Sequence, residues 1–139
     1  MSIISAIYPG CIQSAFNGEI QWASPRIKVM LLRDTYLFNA THTHVADVIT
    51  DEIVATGYQS GGLALTGLTS EINSTGVIFH NSTLVTWGNS TITARYSLLY
   101  DSFSDKLIAL TDFGKNMSSV SADFVLNWGT NGIFQISAA

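Results

Sequence analysis

His42, His44 and Asp47 come closest, by residue type and spacing, to a metal site in this 139-residue chain. Imidazole and carboxylate are both ligands of divalent cations. A helix over 42–49 would turn His42 and His44 in different directions, because residues two apart do not share a helix face. His44 and Asp47, three apart, could share an ion, but two ligands do not complete a site. No metal is therefore expected. His80, beside a turn, reads as an exposed strand-end residue. Cys11 is the single cysteine. It falls among Ile3, Ile4, Ile7, Tyr8, Ile12, Ala15 and Phe16 at helical spacing, and reads as a small buried apolar group, not a nucleophile. No serine stands in Gly-x-Ser-x-Gly. Glu52 and Glu71 would form an acid–base pair only if the fold brought them together, and nothing in their spacing does so. The glycine run from Gly57 to Gly67 has neither a Gly-Lys-Ser/Thr ending nor dinucleotide-binding spacing, so it is no phosphate cradle. These residues predict no catalytic, cofactor-binding or metal-binding group, and no enzyme.

That glycine run has a different use. In Gly57-Tyr58-Gln59-Ser60-Gly61-Gly62, glycines at 61 and 62 suit a sharp reversal with φ > 0, followed by the strand Leu63-Ala64-Leu65, which continues toward Glu71-Ile72. Upstream, Pro9-Gly10 divides an extended arm, residues 1–9, from a short helix over 10–16 that Asn17-Gly18 would stop. Ile3, Ile4, Ile7 and Tyr8 on that arm either seal the chain's own sheet or dock on a neighbouring subunit. Glu19 to Trp22 alternates, and Arg26 to Leu32 is a strand covered on both faces at its end. A short helix over 42–49, capped by Thr41, would turn Val45, Val48 and Ile49 inward.

From residue 77 onward the pattern is strand, turn, strand: 77–79, 84–87, 91–100, 107–113, 124–128 and 133–136. The best alternation points Ile92, Ala94, Tyr96, Leu98 and Tyr100 one way and Thr91, Thr93, Arg95 and Ser97 the other. Arg95 is a solitary charge in that strand and needs a partner, for which Asp112 is the candidate. Gly114 to Ser121 reads as a loop. Trp22, Trp87 and Trp128 would each end a strand and cap the core with their rings; the alternative is an aromatic sugar-binding platform. The expected fold is mainly β, an antiparallel sandwich or barrel with one or two short helices in the N-terminal half, forming a single domain over 1–139.

Charged residues make up only 12% of the chain and apolar ones 47%, with a net charge of −4. So low a charge suits a chain that buries surface against neighbours. The six basic residues are scattered and leave no nucleic-acid footprint. The first residues lack a basic region typical of a secretory signal, and no apolar run approaches the ~20 residues of a membrane span. Asn39, Asn73, Asn81, Asn89 and Asn116 head Asn-x-Ser/Thr triplets, read here as turn chemistry and not as glycan sites.

Several of these features, in order, resemble a family of small tailed-phage virion proteins. An aromatic (Trp22) precedes Ile27-Lys28-Val29-Met30-Leu31. His44-Val45-Ala46-Asp47-Val48 follows, then Gly57-Tyr58-Gln59-Ser60-Gly61-Gly62-Leu63-Ala64-Leu65, then Trp87 and Ala94-Arg95-Tyr96. The resemblance covers roughly residues 15–136 and carries no catalytic signature. It implies a structural component present in many copies, foremost a capsid decoration (cement) protein that contacts the major capsid protein or other virion proteins, forms a homo-oligomer and is made in the host cytoplasm. A tail, head–tail adaptor or fibre component is the runner-up, and a lectin-like module the third reading.

Overall fold

The computed structural model describes residues 4–81, 83–129 and 132–137, with the side chain of Ile4 excepted. Its frame is a five-stranded antiparallel sheet built from β1 (Ile4–Ile7), β2 (Ile27–Leu32), β3 (Leu63–Ala64), β7 (Thr93–Asp101) and β8 (Lys106–Ser118), in the order β1-β8-β7-β2-β3. Two smaller antiparallel sheets accompany it. One contains β4 (Leu68–Ile72), β5 (Gly76–Asn81) and β10 (Phe134–Ser137); the other pairs β6 (Val85–Ser90) with β9 (Ala122–Leu126). Helix α1 spans Gly10–Phe16 and ends at Asn17-Gly18, as the punctuation predicts. The fold is mainly β and sandwich-like.

The alternation of β2 explains why this sheet is central. Ile27, Val29 and Leu31 enter one apolar cluster while Met30 and Leu32 enter another. All five are fully buried, so both faces are covered, which the apolar end of the strand foretold. The larger cluster adds Leu68, Val85, Trp87, Phe124, Leu126 and Phe134 from the two small sheets, which close over that face. The opposite face is closed by Tyr8, Tyr36 and Val48 from non-sheet segments.

Several elements depart from the sequence expectation. The single strand over 63–72 is two strands in two different sheets, separated at Thr66-Gly67. The helix over 42–49 is replaced by two 3-10 turns, Val45–Asp47 and Ile49–Asp51. His44 and not Thr41 takes the cap position, because the Asp47 carboxylate reaches back to accept from the backbone N–H of Thr43 and His44. Residues 114–118 extend β8 where a loop was expected. Irregular pairing opposite Arg95 shifts β7 across the sheet. Ala94 therefore faces the larger cluster whereas Tyr96 and Leu98 face the smaller one, and the apparent one-sided alternation is split between two cores.

The described part of the N-terminal arm packs on the chain's own sheet. β1 pairs along its length with β8, Ile7 opposite Ala109, and Ser5 Oγ lies 3.0 Å from Thr111 Oγ1. Tyr8 is completely buried and its hydroxyl sits 2.7 Å from that of Tyr36. A side chain closed inside its own core cannot serve a neighbour, so Tyr8 is not a subunit contact, and Ile7 packs on the larger cluster. Ile3 lies outside the described residues, and of Ile4 only the backbone pairing is described. Removal of residues 2–8 should therefore lower Tm by on the order of 10 °C, from the loss of about 3 kcal/mol of burial at Tyr8 and Ile7. Thermal unfolding checks this; an unchanged Tm would show that β1 contributes nothing to the fold.

Candidate functional site

The glycine turn is built on a buried carboxylate. Glu52 leaves the second 3-10 turn beside the end of β2, bridged to Leu32, and is only 7% exposed. Its Oε2 accepts from the Tyr58 hydroxyl at 2.6 Å and from the Gly61 N–H at 2.7 Å. Tyr58 Oη in turn accepts from the Leu31 N–H at 3.1 Å, and so satisfies a β2 donor beyond the point where β3 stops. Tyr100 donates to the Gly61 carbonyl at 2.6 Å. Burial, reinforced by the bond to Glu52, pushes the Tyr58 phenol well above its ordinary range. Burial, with the negative charge of Glu52 and Asp105, pushes Tyr100 up to about 12. Both phenols are therefore neutral donors at pH 7. They are neither bases nor nucleophiles, and what the cluster does is hold a turn against a strand.

Gly61 and Gly62 both have positive φ, +93° and +77°, as the reversal required. Gly57 also has positive φ, and a Cβ there would stand 2.7 Å from that of Ser90. Glu71 does not join Glu52. It is exposed on β4, 3.6 Å from His80 across the strand pair. His80 itself is half-buried inside β5, not an exposed strand end.

The remaining candidates disperse. His42 Nδ1 lies 3.0 Å from the Tyr36 hydroxyl, and His44 Nδ1 lies 2.8 Å from Thr43 Oγ1. Asp47 is occupied by the two backbone amides, which hold its carboxyl below the usual range. Among the described residues no three potential ligands gather at one point. Cys11 is buried, and burial pushes its thiol up to about 11, which keeps it neutral and unreactive.

The tryptophans do not share the strand-end role. Trp22 lies in a turn outside any strand, its indole donating to the Thr69 carbonyl and its ring set edge-on to Phe79 and Phe134. Trp87 is in the middle of β6 and 3% exposed. Trp128, just past β9, donates to Thr111 Oγ1 and is half-buried. These are packing residues, since each ring is engaged by the chain itself. Three of the Asn-x-Ser/Thr triplets are turns as read: the side-chain carbonyls of Asn39, Asn73 and Asn81 each accept from the N–H and hydroxyl of the threonine two residues on, whereas Asn89 lies in β6 and Asn116 in β8.

Arg95 does meet Asp112, Nε to Oδ1 at 3.2 Å. Both side chains are about one-third exposed. The same Oδ1 accepts from the Gly114 N–H at 2.8 Å, so Asp112 also shapes the irregular stretch of β8. A double-mutant cycle with Arg95→Ala and Asp112→Ala should give a small favourable coupling, as for a solvated pair. Asp112→Ala should be the costlier single change, through Gly114. Zero coupling by denaturant titration would remove the pair as a structural contact.

Three features escaped the sequence reading. One is the Glu52 anchor. Another is Asp101, the buried carboxylate at the end of β7, which binds Arg26. The Asp-Ser-Phe-Ser run was a legible turn signal for it. The last is an apolar cavity of about 330 Å³ between α1 and the sheet of β5 and β10, walled by Cys11, Trp22, Phe79, Phe134 and Ile136. No helix among the described residues is long and apolar enough to cross a membrane. No protein-family model, characterised protein or solved structure matches the chain.

Proposed function

We propose that this protein is a non-enzymatic structural component of a tailed-phage virion, a capsid decoration protein that stabilises the head by bridging capsomers, with the major capsid protein as its partner. One observation carries the reading: six large apolar side chains stand on the surface. Phe16, Leu37, Val54, Ile72, Phe103 and Val120 are each at least 76% exposed. A surface that keeps apolar groups so widely open in a chain with 12% charged residues is suited to being covered by neighbours. Of the few basic side chains, Arg26, Arg95 and Lys106 are already paired with Asp101, Asp112 and Glu19, which leaves little cationic surface for nucleic acid. The order of the motifs from Trp22 through the glycine turn to Arg95 resembles the virion family and supports the same reading.

The test is a cryo-EM map of the particle from which the chain comes, with purified protein added back to heads that lack it. Hundreds of copies on the capsid exterior, together with raised mechanical or thermal resistance of the heads, are expected. A dozen copies or fewer at the tail would replace decoration by a tail or adaptor role. Absence from the particle would overturn the virion reading altogether.

A further inference from the structure

We infer that the α1 face is a self-association surface, in which Phe16 of one copy enters the apolar cavity of a second copy across a two-fold axis. The cavity and the side chain that fits it lie side by side on the same chain. Phe16, the last residue of α1, is 89% exposed at the rim of a cavity of about 330 Å³. A dry cavity of about 150 Å³ already admits a benzene ring, so the space accepts a phenyl group. Knob and hole on one patch are what a two-fold contact needs, because each copy then offers and receives the same group.

The chemistry of the patch selects a second copy. The walls are aliphatic and aromatic, and the nearby Trp22 N–H is already bonded to Thr69, so no polar group inside awaits a polar ligand. Helix α1 carries no charged residue, so two copies can meet face to face without like-charge repulsion. Glu19 and Lys106 beside it pair with each other at 3.7 Å. The apolar surface extends beyond the knob. Ile12 is 38% exposed on the helix, and Phe103 is 79% exposed. Arg26 links the two parts: its guanidinium bonds the Glu19 carbonyl and lies 4.8 Å from the Phe103 ring. The inference concerns the isolated chain and does not depend on the capsid reading.

Sedimentation of the purified chain over a range of concentrations tests it. The wild type should reach twice the 15.0 kDa of the monomer. Phe16→Lys, at an exposed position and with a charge that suits a helix C-terminus, should keep the circular dichroism of the wild type and raise the dimer dissociation constant about a hundredfold. Ala15→Trp, an exposed position at the cavity rim, keeps the knob but blocks the hole and should have the same effect. Dimers that persist in both variants would mean that copies meet elsewhere and would overturn the inference. A wild type that stays monomeric would overturn it too. If such a monomer binds anilinonaphthalene sulfonate and Ala15→Trp abolishes that binding, the cavity takes a small apolar molecule instead.

Discussion

Gly62→Val should destabilise the protein by about 4 kcal/mol or more, enough to leave much of it unfolded or insoluble. Two effects act together. The backbone at Gly62 has φ +77°, a conformation that costs an L-residue roughly 1–2 kcal/mol. A Cβ there would also collide with the Val29 carbonyl oxygen and lie 2.9 Å from Met30 Cα. Those atoms belong to the middle of β2, the strand buried on both faces, so they cannot yield without disturbing both apolar clusters. Even Gly62→Ala should be severe. Gly61 provides the comparison: a Cβ there would meet only the Tyr100 hydroxyl, at 3.4 Å, so Gly61→Ala should cost about 1–2 kcal/mol, from backbone strain alone. Denaturant titration of the three variants gives the order. A soluble Gly62→Val protein of normal stability would refute the close approach of the turn to β2.

How far the fold could be read in advance follows from the range of the forces involved. Local chemistry was legible: α1 with its Asn17-Gly18 stop, the asparagine turns, the hairpin at 101–106 and the positive φ at Gly61 and Gly62 each depend on residues a few positions apart. The doubly covered β2 was legible too, because burial on both faces leaves an unbroken apolar run. What escaped depends on distant partners. The strand from Leu63 toward Ile72 has no local signal that its two halves join different sheets. The alternation of β7 looked one-sided because the irregular pairing with β8 is set by a strand that follows it. Glu52 has no partner legible in its neighbours; only the return of the chain at Tyr58 and Gly61 makes it a buried acceptor. Arg95 found Asp112 because a hairpin makes its strands neighbours in sequence order.

Asp101 carries the other large expectation, and it concerns acid as well as substitution. Its side chain is fully buried beside Arg26. Oδ1 accepts from Arg26 Nε at 3.0 Å and from the N–H groups of Phe103 and Ser104; Oδ2 accepts from the Gln21 N–H. One carboxylate thus ties the segment before β2 to the β7–β8 turn. Burial by itself would raise its pKa. The backbone donors and the Arg26 guanidinium outweigh that and hold the group below the ordinary carboxylate value. Asp101→Ala would leave the largely buried Arg26 without its counter-charge and several amides without an acceptor, and should cost about 3–5 kcal/mol.

The sign for pH follows from the lowered value. In the unfolded chain the group takes up its proton near pH 4, before the folded form does. Its contribution to stability is therefore complete above about pH 4 and is lost as pH falls from there through the lower folded pKa. Asp101→Asn keeps the shape but cannot ionise. It should be less stable than the wild type at pH 7 by about 2 kcal/mol, and the gap should close as pH falls below 4. Urea titrations of both proteins between pH 2 and pH 7 measure the gap directly. A constant difference across that range would mean that the Asp101 charge does not stabilise the turn, and that the packing of Arg26 and Phe103 holds it instead.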